Sequence, residues 1–128
     1  MFDNFSKVTQ GSVGLGHAIA HFVTMGYVVS LPLLDNQDYD LIIDENDVLK
    51  KIQIKTSGSK DKNGNYIVQL KSVRANRTRN NIKLFNPDKI DYLFILTGSN
   101  EKYLIPTKSI TNTCAITLNE DRKIYKVI

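Results

Sequence analysis

Two β-forming runs joined by a two-residue turn constrain this chain more than any other feature. Tyr39-Asp40-Leu41-Ile42-Ile43 is a short apolar run entered through an acid, and Lys51-Ile52-Gln53-Ile54-Lys55 alternates strictly between polar and apolar, so both read as strands. Glu45-Asn46-Asp47-Val48 lies between them, and its Asn-Asp pair tolerates the positive φ that a tight hairpin turn demands. A hairpin centred there has facing residue numbers that sum to 93, setting Gln53 opposite Asp40, Lys51 opposite Ile42 and Lys55 opposite Asp38. Because side chains alternate along a strand, Leu41, Ile43, Ile52 and Ile54 point to a core while the polar groups share the other face.

That polar face has a chemistry. A carboxylate at a strand entrance, facing an oxygen-bearing side chain two residues before a lysine, brings cation ligands beside a basic group, as phosphodiester hydrolysis requires. Hard cations take oxygen ligands, which Asp40, the side-chain carbonyl of Gln53 and the main-chain carbonyl of Ile54 can supply. Lys55 would then orient or deprotonate the attacking water beside the metal. The competing reading is a solvated strand face of Lys51, Gln53 and Lys55 with Asp40 as a turn residue, and the rest of the chain bears on the choice.

Charge favours the first reading. The net charge is only +4, but residues 50–83 hold ten basic residues against the single acid Asp61, which leaves the remainder at −5. Such segregation suits a polyanion, since each neutralised phosphate releases counterions. Lys51, Lys71, Arg74, Arg77, Arg79 and Lys83 are the expected nucleic-acid contacts, interleaved with Ser72, Asn76, Thr78, Asn80 and Asn81, which can reach phosphate and sugar oxygens.

With 128 residues the expectation is one domain, residues 1–128, large enough for one core. No apolar run is long enough to span a bilayer and Met1-Phe2-Asp3-Asn4 lacks a secretory charge pattern, so a cytoplasmic protein with no membrane partner is expected. Cys114, the only cysteine, rules out an internal disulfide and a thiolate zinc cluster and reads as a small buried hydrophobe. His17 and His21 lie four apart without a third ligand at recognisable spacing, which argues against a zinc site.

Along the chain, Ser12 is expected to cap a helix to about Met25, with Leu15, Ala18, Ile19 and Phe22 inward, and Gly14 and Gly16 suggest close approach of another backbone. Gly26 ends it and Tyr27 to Leu31 starts a strand. Tyr66 to Leu70 reads as a third strand of the sheet, Arg74 to Asn81 as a loop, Pro87 to Ile90 as a helical turn, Tyr92 to Leu96 as a central buried strand, and Lys102 to Pro106 as its neighbour. Ala115 to Leu118 and Ile124 to Val127 are expected to pair at an edge. Phe2 and Phe5 are candidates either to cover the core or to join subunits.

Asp40 followed thirteen residues later by Gln53-Ile54-Lys55 resembles the PD-(D/E)XK nuclease signature in its variant with glutamine as second ligand. The order Gly11-Ser12-Val13-Gly14, Gly26-Tyr27, Pro32, Asp35-Asn36, Tyr39-Asp40-Leu41-Ile42-Ile43, Gln53-Ile54-Lys55-Thr56 is similar to the small endonucleases of this superfamily associated with group I introns and their phage and bacterial relatives, over roughly Gly11 to Leu118. The resemblance implies an α/β (α+β) restriction-endonuclease-like core, a mixed sheet with an N-terminal helix packed on it, and a metal-dependent DNA endonuclease using Mg²⁺ or Mn²⁺. It implies DNA as partner and a homo-oligomer, dimer or tetramer. The chain departs from the family at Leu15, where these enzymes and the similar Holliday junction resolvases commonly carry a glutamate. Gln10, Ser12, Asp38 or a residue of a second subunit would have to replace it. Two alternatives follow: a catalytically degenerate nuclease-fold DNA-binding protein, and a structure-specific Holliday junction resolvase.

Overall fold

The computed structural model describes residues 1–75 and 80–128, and for 73–75, 80 and 81 the main chain alone. Arg77 and Arg79, with Asn76 and Thr78, therefore lie outside the described residues, as does the side chain of Arg74. In chain order the elements are α1 (Lys7–Thr24), β1 (Val28–Ser30), β2 (Leu41–Glu45), β3 (Val48–Ser57), β4 (Ile67–Gln69), β5 (Ser72–Ala75), β6 (Asn80–Lys83), β7 (Tyr92–Thr97), β8 (Lys102–Pro106), β9 (Ala115–Thr117) and β10 (Lys126–Val127). Short 3-10 turns stand at Pro87–Lys89, Thr107–Ser109 and Glu120–Tyr125.

The hairpin forms in the expected register, Leu41 opposite Ile52 and Ile42 opposite Lys51. Asn46 and Asp47 take φ of 54° and 68°, and the Asp47 amide donates to Asp44 Oδ1 at 2.9 Å, so a primed turn matches the strand twist. β3 then pairs in parallel with β7, and the mixed sheet runs β1-β2-β3-β7-β8-β10. Its two faces hold two cores. Under α1 lie Ala18, Phe22, Leu41, Ile43, Ile52, Phe94 and Leu96; on the other face Leu93, Ile95 and Ile105 pack with Val68, Phe85 and Ile116. β7 is thus buried on both sides, as its unbroken apolar run requires. Phe2 joins the α1 core, whereas Phe5 stays exposed.

Five expectations are corrected. The helix starts at Lys7 and is capped by Ser6, whose Oγ accepts from the Thr9 amide at 3.1 Å. Ser12 lies inside it, with Oγ donating to the Val8 carbonyl; the ~1 kcal/mol that each glycine costs did not stop the helix before its first turn found a cap. Tyr66 to Leu70 does not extend the main sheet, because β2 and β7 already occupy both edges of β3. Instead β4 pairs antiparallel with β9 as a separate two-stranded layer, and β10 takes the free edge of β8, so the last two segments do not pair with each other. Ser72–Ala75 and Asn80–Lys83 pair antiparallel as β5 and β6, with Arg74 opposite Asn81, so the described ends of the expected loop are strands. Cys114 is exposed: its carbonyl accepts from the Leu70 and Lys71 amides, which fixes the backbone and leaves the thiol outside the core. No helix among the described residues is long and apolar enough to cross a membrane.

Candidate active site

β2 begins at Leu41, and the residue just before it extends the pairing with a side chain. The Asp40 amide donates to the Ile52 carbonyl at 2.8 Å, continuing the ladder by one bond. Asp40 Oδ2 then accepts from the Ile54 amide at 2.7 Å, standing in for the main-chain partner that β2 no longer offers. The second oxygen, Oδ1, bonds none of the described residues. Since the N–H and C=O of one strand residue point to the same side, the Ile54 carbonyl faces the edge that Asp40 occupies.

Asp40, Ile54, Lys55 and Thr56 line a cleft of about 590 Å³, walled by Gly11, Ser12 and Leu15 of α1 and by Leu31 to Asp35. Asp40 as a residue is exposed, but its carboxyl is crowded by surrounding chain. That desolvation raises its pKa above the ordinary carboxylate value, against the opposing pull of the Ile54 amide and of the Lys55 charge. Lys55 is held below the ordinary ammonium value, again by burial first, with Asp40 partly restoring it. Two titrating groups in one cleft are therefore pushed toward each other's range, a pattern that accompanies proton-handling sites.

Gln53 does not line this cleft. It borders a separate, smaller pocket with Asp38, Lys83 and Phe85. Its Nε2 donates to the Asp38 carbonyl at 3.0 Å, and its Oε1 is buried without a hydrogen-bond partner among the described residues. An orphaned buried acceptor costs about 1–3 kcal/mol, which a cation at that oxygen would offset. The available donors, Asp40 Oδ1, Gln53 Oε1 and the Ile54 carbonyl, are all oxygens and fit Mg²⁺ or Mn²⁺ rather than a soft metal. Among the described residues no three or more His, Cys, Asp or Glu side chains group for a metal, and the two donors named beside Asp40 are neutral.

The missing acid is visible in the wall. Leu15 lines the cleft on the same helical face as Val8, Gly11 and Ser12, and packs against the core beneath. The other candidates for its role are engaged elsewhere: Gln10 Nε2 donates to Thr56 Oγ1 at 2.7 Å, Ser12 bonds its own helix, and the Asp38 carboxylate is ion-paired with Lys83 and lies 3.7 Å from Lys89. Asp35 does line the cleft.

Of the expected nucleic-acid contacts, Lys51 and Lys71 are exposed, Lys51 lying over the Tyr39 ring at 5.5 Å, and Lys83 closes β6 beside Asp38. Sequence reasoning missed the apolar rim of Leu31, Leu33 and Leu34, which are largely exposed around the cleft mouth. An aperiodic Leu-Pro-Leu-Leu run just before the acidic loop was the signal for it.

The comparisons bear on the fold and the family. A bacterial homing endonuclease, I-Ssp6803I, has a similar structure, with a TM-score of 0.78 and 29% sequence identity over 90% of this chain and 79% of that one. No curated protein matches the chain significantly. The sheet and its N-terminal helix form a restriction-endonuclease-like α+β fold. Residues 6–126 match the family model described as PD-(D/E)XK endonuclease, and on that match over nearly its whole length this chain belongs to the PD-(D/E)XK endonuclease family.

Proposed function

We propose that the chain is a DNA endonuclease that hydrolyses phosphodiester bonds with Mg²⁺ or Mn²⁺, acting as one nuclease domain over residues 1–128. The observation that carries this is the Asp40 carboxylate, fixed to the Ile54 amide at 2.7 Å with one oxygen left over, in the same cleft as Lys55. Asp40 Oδ1, Gln53 Oε1 and the Ile54 carbonyl would hold the cation. When bound, the cation supplies charge stabilisation at the phosphate and a more acidic water.

The chain's own residues do the rest. Lys55 Nζ orients the attacking water, and the burial that lowers its pKa fits it to take that water's proton. Lys51, Lys71, Arg74, Arg77, Arg79 and Lys83 neutralise backbone phosphates and set the register of the duplex. Cutting both strands asks for two such sites, which a homo-oligomer, dimer or tetramer, would bring, and exposed Phe5 with the Leu31 to Leu34 rim offers apolar surface for it.

One observation favours a second reading. Leu15 stands in the cleft wall, and Gln10, Ser12 and Asp38, which could replace an acid there, are tied up, which suits a nuclease fold kept only for DNA binding. Nicking of supercoiled plasmid with Mg²⁺ or Mn²⁺ tests both. The first reading expects cleavage that Asp40→Ala abolishes while duplex binding persists; duplex binding with no cleavage by the unaltered protein supports the second. Cleavage of a four-way junction in strong preference to linear duplex would identify a resolvase.

A further inference from the structure

Asp38 ties together three parts of the molecule, and the cleavage chemistry above uses none of its bonds. Its main-chain carbonyl accepts from Gln53 Nε2 at 3.0 Å. Its carboxylate is ion-paired with Lys83, the last residue of the β5–β6 ribbon, and lies 3.7 Å from Lys89 in the turn that precedes β7. A carbonyl oxygen can only accept, so this bond decides which end of the Gln53 amide faces which way. The NH₂ is turned to Asp38, and Oε1 is turned away, buried with no partner among the described residues. The flipped amide would set oxygen against oxygen at the same distance. The clamp is not there chiefly for stability, because the Asp38 and Lys83 side chains are 25% and 51% exposed and pairs this open contribute little.

We propose that Asp38 is a positioning residue for Gln53: Lys83 and Lys89 hold its carboxylate so that its carbonyl fixes the Gln53 amide with Oε1 presented as a cation ligand. The inference rests on the reading of Gln53 as a ligand. Its physical content is a preorganised donor, in which the orientation of a neutral amide is set before the cation arrives.

The test uses the full chain, free of metal and DNA, and follows the Gln53 side-chain amide by ¹⁵N–¹H NMR, assigned through its loss in Gln53→Ala. Asp38→Asn keeps the main-chain carbonyl and the side-chain volume while removing the charge. The expected result is exchange of the Gln53 amide protons with water about five- to tenfold faster, the factor that one weakened hydrogen bond supplies. Lys83→Gln should do the same, and the swapped pair Asp38→Lys with Lys83→Asp should restore slow exchange. Unchanged exchange in both single variants overturns the proposal; so does faster exchange throughout the chain, which would mean a structural role. A second readout is Mn²⁺ affinity by calorimetry, which should fall in Asp38→Asn but not fall further when Gln53→Ala is already present. An equal loss in both backgrounds would show that Asp38 acts through its charge and not through Gln53. The exchange result does not depend on cleavage, so a protein that never cuts DNA would sink the nuclease reading and leave the amide clamp standing.

Discussion

Gly14 lies against Thr56: a Cβ added to Gly14 would stand 2.7 Å from Thr56 Cγ2 and 3.3 Å from Ile54 Cγ2. Thr56 cannot turn aside without losing the bond that Gln10 Nε2 makes to its Oγ1 at 2.7 Å. Gly16, two residues on, has nothing within 4 Å of such a Cβ among the described residues. Gly14→Ala should therefore destabilise by about 1–2 kcal/mol, overpacking outweighing the gain in helix propensity. Gly16→Ala should stabilise by about 0.5–1 kcal/mol. Urea unfolding of the two variants checks the contrast. Equal effects would mean that helix and β3 are not in close register beside Lys55.

That pair of glycines also shows where sequence reasoning reached its limit. Both suggested close approach, and only the tertiary arrangement separates them. The hairpin was legible to the residue because turn chemistry and alternation are local: Asn46-Asp47 fixed the register and the register set Asp40 beside Ile52 and Ile54. The partners of Tyr66 to Leu70 and of Ala115 to Leu118 were not legible, since a strand carries no mark of which free edge it will find. The helix start was misplaced because Ser6 and Ser12 are equivalent as local capping signals. In the site, Lys55 and Asp40 followed from the pattern, whereas the hold of Asp38 on Gln53 is a main-chain bond that no residue type announces.

His21 should make the fold sensitive to mild acid. Its ring packs at 5.2 Å from Phe22 and 5.6 Å from Phe94, and burial, with the nearby Lys102 charge, lowers its pKa below the ordinary 6.5. The unfolded chain then binds more protons than the folded one from about pH 6.5 downward, so stability is full above that value and declines as pH falls through it toward the lower folded value. Unfolding measured between pH 5 and 8 should show this slope, and His21→Gln should flatten it. An unchanged slope would assign the effect to another group.

Lys55 should trade stability for function. Burial lowers its pKa more than Asp40 restores it, so the folded state binds fewer protons than the unfolded one between the lowered value and 10.5. Stability contributed by this group therefore rises with pH through that window, and at neutral pH the charged form is carried at a cost. Lys55→Met keeps the stem and removes the ammonium. It should raise Tm by about 3–5 °C while abolishing plasmid nicking. A lower Tm would mean that attraction to Asp40 exceeds the desolvation cost.

Gln53→Glu separates the two jobs of that side chain. Without metal, the substitution replaces the Nε2 donor with an oxygen facing the Asp38 carbonyl, which now stands 3.0 Å from a donor. Two acceptors in contact, near Asp40, should destabilise the metal-free protein by about 1–3 kcal/mol. With a cation present the sign reverses, because the new carboxylate adds a formal charge to a site where the two donors named beside Asp40 are neutral. Binding to the folded state alone stabilises in proportion to ln(1 + [L]/Kd), so the Mn²⁺-induced rise in Tm should be larger in the variant than in the unaltered chain. Thermal melts in EDTA and across a Mn²⁺ series measure both terms. An unchanged melt in EDTA would show that the Asp38 carbonyl does not set the amide, and an equal Mn²⁺ increment would show that the oxygen at position 53 is not a ligand.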